Sequence, residues 1–422
     1  MEVRPGYKQT EVGVIPEDWN VLQLGELKPF VTSGSRGWAS HYSEQGDLFV
    51  RITNLTRESI YLDLADCRFV RLPAGDGEAA RTQLKENDLL ISITADIGII
   101  GYVDARVPIP SYINQHIALL RFDSAKVSSQ FVSYFLASEE SQKVFRAATD
   151  KGAKAGMNLR EVQKIKTALP PTTNEQHAIA RALSDMDALL DGLDRLIAKK
   201  RAIKYATMQQ LLTGNTRLPG FSGEWDVKLL GDVADVKTGP FGSLLHERDY
   251  VSDGVPIITV EHLGEFGVEH VNLPMVSETD CKRLNSYSLH VGDIVFSRVG
   301  SVDRNALIRK PEDGWLFSGR LLRVRPNERC INSMFLSYQF HSEPFKLTVR
   351  TVAVGQTMAS LNTRILKGIL VNIPSISEQN AIATVLSDMD TEITALESRR
   401  TKTRALKQAM MQELLTGRTR LV

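Results

Sequence analysis

The 422-residue sequence is poor in cysteine and in long apolar runs. Cys67, Cys281 and Cys330 lie far apart, which excludes the spacings of zinc sites and redox pairs, and we expect three small buried side chains. The longest apolar run, residues 89–103, contains Asp96 and is too short to cross a bilayer. The sequence does not open with the basic and apolar segments of a secretory signal. We therefore expect a cytoplasmic protein.

Charge of one sign is also missing. The sequence has 51 lysines and arginines against 50 aspartates and glutamates, a net charge of +1. Nucleic-acid-binding proteins usually carry a strongly basic surface, so the composition neither favours nor excludes that class. If the chain binds DNA, local basic patches or basic partner chains must neutralise the phosphates.

Common catalytic motifs are absent from the sequence. There is no Walker A string, no GxGxxG, no HExxH and no Asn-Pro-Pro-aromatic motif that would place an adenine for methylation. We predict a chain with no catalytic residues, no metal and no cofactor of its own.

What the sequence does contain is a long internal repeat. Residues 174–218 align without a gap with residues 377–421, and about 25 of the 45 positions are identical. Weaker matches precede each copy, such as VTSGSRG at 31–37 and VKTGPFG at 236–242. The predicted order is a variable domain, a helical spacer, a second variable domain and a second spacer, at residues 1–171, 172–218, 219–374 and 375–422.

The spacers are predicted to be long helices. Apolar residues recur at alternating spacings of four and three, which indicates a coiled-coil seam: Ile179, Leu183, Met186, Leu190, Leu193 and Ile197, then Ile382, Leu386, Met389, Ile393 and Leu396. Asn174 and Ser377 are the predicted N-caps, and Gly214 and Gly417 the predicted C-terminal stops. Two such seams are buried most simply against each other, as an antiparallel pair.

The variable domains are predicted to be mixed. We expect strands at residues 48–52, 89–94, 117–122, 255–260, 294–297 and 321–325, and short helices at 131–147 and 334–349. The predicted fold class is α+β, with two mixed domains separated by two long antiparallel coiled-coil helices.

The repeated string EQ…LSDMD…LLTG.TRL, each time after a domain that opens W.V…G, resembles the specificity subunits of type I restriction-modification enzymes. The resemblance covers essentially the whole chain. It implies two target recognition domains that each read one half of a split double-stranded DNA sequence. It also implies helices that dock two methyltransferase (modification) subunits, which restriction subunits (ATP-dependent translocase and nuclease) then join.

The helix length and the difference between the two domains predict the kind of target. A helix of about 36 residues is roughly 55 Å long, so it would hold two readers at most about 16 base pairs apart. Because the two domains are not identical, the two half-sites should differ, and the target should be asymmetric.

Polar side chains beside the predicted strands and turns are the candidates for DNA contact. Arginine pairs bidentately with guanine, and asparagine or glutamine with adenine, in the major groove. The candidates are Arg36, Arg51, Asn54, Gln115 and His116 in the first domain, and Lys237, Arg248, Arg298, Ser301, Arg304 and Arg320 in the second. Ordinary solvated surface charge is the alternative for each of them.

The SDMD strings of the spacers do not indicate a catalytic carboxylate pair. Asp185 and Asp187 are two residues apart on a helix and do not face each other, so we expect exposed positions flanking Met186. On the family resemblance, the acidic and amide residues of the spacers are the expected partner-binding residues: Glu175, Gln176, Asp185, Asp187, Glu378, Gln379, Asp388 and Asp390.

Three alternatives stay open at this point. A nuclease or methyltransferase with cryptic motifs would be active as the purified chain. A structural coiled-coil adaptor would have no role on DNA, which salt-sensitive, sequence-selective binding would exclude. The recognition subunit of a type II enzyme with separate specificity chains would have different genomic neighbours.

Overall fold

The halves of the chain contain the same order of strands and helices, except for a two-stranded hairpin at the start of the first half. The computed structural model describes residues 4–73, 75–149, 156–241, 244–264, 267–353 and 359–421. Two units form, one from Met1–Arg195 with Ser398–Val422 and the other from Leu196–Glu397. Each unit therefore combines one variable domain with a part of each helical spacer.

The first unit is a mixed α+β structure. Its elements are β1 (Tyr7–Thr10), β2 (Gly13–Pro16), β3 (Asn20–Gln23), β4 (Phe30–Ser33), β5 (Tyr42–Ser43), β6 (Asp47–Val50), β7 (Phe69–Val70), α1 (Gly77–Thr82), β8 (Leu89–Ser92), β9 (Ile100–Tyr102), β10 (Ser111–Ile113), β11 (Ile117–Arg121), α2 (Ser129–Ala137), α3 (Glu139–Thr149), α4 (Leu159–Lys164), β12 (Lys166–Leu169) and the start of α5 (Thr173–Leu211). Two four-stranded sheets have the orders β4-β11-β8-β9 and β10-β6-β7-β5, while β1 pairs with β2 and β12 with β3.

The second unit repeats this plan. Its elements are β13 (Asp226–Leu229), α6 (Leu230–Val233), β14 (Ala234–Thr238), β15 (Tyr250–Val251), β16 (Val255–Ile258), β17 (Met275–Val276), α7 (Glu278–Arg283), β18 (Ile294–Ser297), β19 (Asn305–Leu307), β20 (Leu316–Phe317), β21 (Leu321–Pro326), α8 (Ser333–His341), α9 (Glu343–Val352), α10 (Thr363–Lys367), β22 (Leu370–Ile373) and the start of α11 (Ile376–Leu414). Its sheets have the orders β14-β21-β18-β19 and β15-β17-β16-β20, and β13 pairs with β22.

The strand β11 shows how each domain builds its core. It lies between β4 and β8, and successive side chains point to opposite faces of the sheet. Ala118 and Leu120 pack in the core that contains α2, whereas Ile117 and Leu119 pack in the core that contains β6 and β10. The apolar run is therefore buried on both faces.

The predicted strands are present, with ends that differ by a few residues. Residues 294–297 form β18 as predicted, whereas β6 ends at Val50 because Ile52–Asn54 form a 3-10 turn. Each predicted short helix is in fact two helices, since the chain turns between α2 and α3 and between α8 and α9. At the C-terminal end of α2, the backbone N–H of Ser138 donates to Phe135 O (3.1 Å).

The two long helices begin slightly earlier than their predicted caps imply. Thr172 and Ser375, rather than Asn174 and Ser377, accept from a backbone N–H of the first turn, each at 3.3 Å. Gly214 and Gly417 follow the helix ends with φ of 73° and 67°, the left-handed conformation that glycine adopts most readily.

Within each unit the two spacer segments run antiparallel. In the first unit Asp194 pairs with Arg400 (2.6 Å), and Asp187, earlier in α5, pairs with Lys407, later in α11. Ile179 and Leu183 pack there with residues of α2 and with Leu414. In the second unit the matching seam residues Ile382 and Leu386 pack with α8 and with the end of α5.

Two expectations about buried and membrane-spanning segments have clear outcomes. The three cysteines are partly exposed rather than buried, and all are free thiols. Among the described residues, no helix combines the length and apolarity needed to span a membrane.

Candidate nucleic-acid interface

In the first unit β4, β6, β8 and β10 all end at one edge of the two sheets. The pairing of β11 with β4 and β8, and of β10 with β6, brings these ends together. Three backbone hydrogen bonds join the segments that follow: Gly34 N to Ile117 O (3.2 Å), Ile93 N to His116 O (2.9 Å) and Asn114 N to Val50 O (3.0 Å). We call this connected set of loops the first loop cluster.

The second unit has an equivalent cluster after β14, β16, β18 and β20. Its three backbone hydrogen bonds are Gly239 N to Leu321 O (3.1 Å), Arg298 N to Arg320 O (2.9 Å) and Ser318 N to Ile258 O (2.9 Å). Each unit therefore has the same arrangement of loop backbone, which we call the backbone frame, and the side chains on it differ between the units. We call this set the second loop cluster.

Glycine is required where the loops of each cluster pack together. A Cβ atom at Gly34 would lie 2.0 Å from the carbonyl oxygen of Asn114. A Cβ atom at Gly239 would lie 2.1 Å from the carbonyl oxygen of Ser318. Any larger residue would collide with backbone that cannot move away, so the two glycines hold the frame in place.

The first loop cluster brings together Arg36, Gln115 and His116. Arg36 is exposed, and the other two are partly exposed. His116 Nδ1 lies 2.5 Å from Thr94 Oγ1, and His116 Nε2 lies 3.1 Å from Gln115 Nε2. Together these side chains offer a guanidinium, an amide and an imidazole, the groups that pair with base edges and phosphates.

Arg51 and Asn54 have intramolecular partners instead. The Arg51 guanidinium donates to Asp66 Oδ2 (2.9 Å), and its side chain is 20% exposed. Asn54 is 1% exposed and donates to the carbonyl oxygens of Asp63 (2.8 Å) and Asp66 (3.1 Å). Burial in this turn corrects the expectation of a DNA contact for Asn54, whose amide stabilises the loop.

The second loop cluster contains Arg298, Ser301, Arg304 and Arg320. Three of them are exposed, while Arg298 is partly exposed, and the Arg304 guanidinium donates to the carbonyl oxygen of Leu263. Three arginines on one set of loops form a local basic patch, one of the two sources of phosphate neutralisation that the neutral composition leaves open to a DNA-binding chain.

Lys237 lies within β14, and Arg248 lies at the far end of the segment that follows β14, next to β15. The Lys237 ammonium donates to Ser286 O (2.7 Å) and lies 4.3 Å from the centre of the Tyr287 ring. Burial lowers the pKa of Lys237. Arg248 is on the turn Glu247–Asp249, and its side chain is 81% exposed.

In each unit an ion pair with a buried carboxylate lies at the opposite end of the central strands from the loop cluster. Asp88 is fully buried and accepts two hydrogen bonds from Arg121, at 2.7 and 2.6 Å. Asp293 accepts two from Arg325, both at 2.7 Å. Burial raises the pKa of Asp88, while the hydrogen bond from Arg121 opposes that rise. These bidentate pairs join the loop before β8 to the end of β11, and the loop before β18 to β21.

Most of the expected partner-binding residues are buried inside the units. Glu175 binds Arg420 (Nη2 to Oε2, 2.8 Å) and Glu378 binds Arg217 (2.5 Å). The Gln176 and Gln379 side chains accept from backbone N–H groups of Ser128 (2.9 Å) and Asn332 (2.8 Å). These four side chains join the variable domains to the helices, which corrects their assignment as a docking surface.

In each SDMD string one aspartate has intramolecular partners and the other is exposed. Asp187 accepts from Tyr134 Oη (2.7 Å) and from Lys407 Nζ (2.5 Å), and it is 6% exposed. Asp390 accepts from Tyr338 Oη (2.6 Å) and from Lys204. Burial raises the pKa of both phenols. Asp185 and Asp388 are exposed, so only they match the expected solvated positions.

Sequence reasoning missed Phe241, which lies on the second loop cluster and is 63% exposed. The match of VTSGSRG to VKTGPFG aligns Phe241 with Arg36, so the signal was present in the repeat. No group of three or more His, Cys, Asp or Glu side chains in the described ranges is placed to hold a metal ion.

Two equivalent units, each with a loop cluster at a sheet edge and a buried attachment to paired helices, define a duplicated recognition protein. The family model of the type I restriction modification DNA specificity domain matches the chain twice, at residues 16–200 and 222–405. The chain belongs to this family.

Individual relatives match over almost the full length. A Methanocaldococcus jannaschii chain inferred to be the type I restriction enzyme MjaX specificity subunit is 23% identical over 98% of this chain and 97% of its own. The MjaVIII specificity subunit of the same organism is 21% identical over 96% and 94%. A crystal structure of the type I system S subunit from M. genitalium has a TM-score of 0.61 at 14% identity, covering 98% of both chains. The predicted α+β fold with its long paired helices is confirmed.

Proposed function

We propose that this chain is the sequence-reading subunit of a type I restriction-modification complex. Residues 1–171 and 219–374 are the two target recognition domains, and each reads one half of a bipartite DNA target. The observation that carries the proposal is the duplicated loop cluster. One backbone frame carries Arg36, Gln115 and His116 in the first unit and Arg298, Ser301 and Arg320 in the second. Different polar groups on the same frame pair with different base edges, so the half-sites differ.

The chemistry of the complex belongs to its partners in this proposal. Two methyltransferase subunits transfer the methyl groups, and restriction subunits supply ATP-driven translocation and cleavage. The exposed Asp185 and Asp388 are the spacer carboxylates that remain available for docking, since the other six candidates have intramolecular partners. The complex works in the cytoplasm, where incoming DNA is met.

A base-resolution methylome of cells with the gene intact and deleted tests the function. We expect one split, asymmetric methylated sequence to disappear on deletion. An unchanged methylome in cells that express the partner methyltransferase would refute the proposal. Purified chain incubated with S-adenosylmethionine or with magnesium and DNA should show neither methylation nor cleavage.

Exchanging residues 1–170 for the first recognition domain of another such chain then shows which half of the DNA target each domain reads. The half of the target read by the first unit should change, and the half read by the second should stay. The matched control is the Asn54→Asp variant, which alters a buried turn and not the exposed groups of the cluster. It should change the stability of the chain without creating a new target.

A further inference from the structure

Phe241 is an apolar side chain that is largely exposed to solvent. It follows Gly239 and Pro240, which are both buried, and yet it is 63% exposed. Burying a phenylalanine side chain is favourable, so its exposure leaves much of that stabilisation unused in the free chain. Proteins that bind opened nucleic-acid strands combine aromatic side chains with positively charged loops, and this cluster contains both.

The backbone that leads into Phe241 is closely packed. A Cβ atom at Gly319 would lie 2.7 Å from Phe241 Cβ and 2.5 Å from Pro240 O. The loop before Phe241 and the loop of Gly319 therefore lie directly against each other, as the hydrogen bond from Gly239 to Leu321 also requires. Phe241 therefore lies at the edge of this packed pair of loops.

A cation lies beside the ring. The Arg298 guanidinium carbon is 5.9 Å from the ring centre, and Arg298 Nη1 donates weakly to Gly319 O (3.5 Å). The exposed Arg320 follows Gly319 directly. The ring thus stands among positive charges that attract phosphates, which brings nucleic acid to an aromatic face.

The first unit shows that the ring is not needed to build the loop. Arg36 occupies the equivalent position, is also exposed, and sits on the same backbone frame. The fold therefore accepts either a long cation or an aromatic ring here. What differs is the contact that the position offers to a ligand.

We propose that Phe241 stacks on a base of the half-site read by the second unit, at a step that the bound DNA opens. This inference rests on the proposed function and adds a contact that hydrogen-bonding residues cannot make. Apolar side chains insert at opened base steps, and every base has an aromatic face, so the contact positions the DNA largely independently of base identity.

Variants of the full chain, assembled with its modification subunits, test this role. Phe241→Ala should weaken binding to the target duplex roughly 5- to 150-fold, the range found when base–aromatic stacking is removed. Phe241→Trp should bind within about threefold of wild type, because the larger ring still stacks. Affinity is measured by fluorescence anisotropy at one fixed salt concentration.

The matched control is Phe30→Ala. Phe30 is also an exposed ring (46%) beside an arginine, with the Arg121 guanidinium 5.6 Å from its centre. It lies at the start of β4, the opposite end of that strand from the first loop cluster. Its removal should leave binding within about twofold of wild type, since it removes no stacking contact. If Phe241→Ala binds as tightly as wild type, or if both alanine variants lose affinity equally, the proposal is overturned.

Photocrosslinking provides the direct readout. Duplexes with 5-iodouracil at successive thymine positions of the second half-site should crosslink to the peptide that contains position 241 in wild type and in the Phe241→Trp variant. The Phe241→Ala variant should give no crosslink at that position. Crosslinks confined to other residues would overturn the stacking contact. Failure of the wild-type complex to prefer its target duplex would instead refute the proposed function itself, so the two failures are distinguishable.

Discussion

Asp185 and Asp187 are two residues apart on α5 and have opposite environments. Asp185 is exposed, whereas Asp187 is 6% exposed between Tyr134 and Lys407. Removing one partner of a buried ion pair leaves the other charge uncompensated, which costs far more than removing a solvated charge.

We expect Asp187→Ala to lower the free energy of unfolding by about 3–5 kcal/mol, because the Lys407 ammonium is then buried alone. Asp185→Ala should change it by less than about 0.5 kcal/mol. Urea unfolding followed by circular dichroism measures both variants. Equal losses in the two would contradict the ion-pair assignment.

The sequence alone could not predict which of the two aspartates is buried. Helical periodicity places both beside Met186, and the partners of Asp187 lie 53 and 220 residues away along the chain. The burial of the loop residues could not be predicted from the sequence either. Arg36 and Gln115 could be chosen from their chemistry, whereas the burial of Asn54 depends on the carbonyl oxygens of Asp63 and Asp66.

At the scale of elements, the strongest apolar patterns were the most predictable. The long helices follow from their apolar periodicity, whereas β18 follows from a short apolar run whose residues are all buried. The division into α2 and α3 at Ser138 was missed, since the apolar pattern continues across the turn. The short pairs β3–β12 and β13–β22 join distant residues that carry no local signal.

Gly192 is the one glycine inside the long apolar repeat of α5. A Cβ atom added there would meet no heavy atom within 4 Å, so the site tolerates a methyl group. We expect Gly192→Ala to raise the free energy of unfolding by about 0.5–1 kcal/mol, through higher helix propensity. The measurement is the urea midpoint of the full chain.

The matched control for this helix is a glycine in a packed strand. A Cβ atom at Gly101, in β9, would lie 2.5 Å from Leu55 Cδ2. Gly101→Ala should therefore lower stability by about 1–3 kcal/mol, the cost of overpacking a core. A loss of stability in Gly192→Ala as large as that in Gly101→Ala would show that α5 does need glycine at this position.

At the scale of the molecule, the repeat predicted two domains and two helices in linear order. The structure groups them differently, since the first unit contains residues from both ends of the chain. Arg420 binds Glu175 and Asp18 in the first unit, and Arg217 binds Glu378 in the second. The same contact is thus made twice, once across the chain ends and once across a continuous linker.

The closure of the first unit has a topological consequence. Tyr7 Oη donates to Gly417 O (3.0 Å), so the two ends of the chain meet where the second unit has the continuous segment 217–223. A circular permutant that joins residue 421 to residue 4 through a short Gly-Ser linker and opens at Gly220 should fold and keep the methylated sequence. A methylome of cells that carry only the permutant measures this outcome, and loss of methylation despite normal assembly would contradict it. In the permutant the two domains follow each other in the reverse order along the chain, so the order of the domains would not determine how the protein folds.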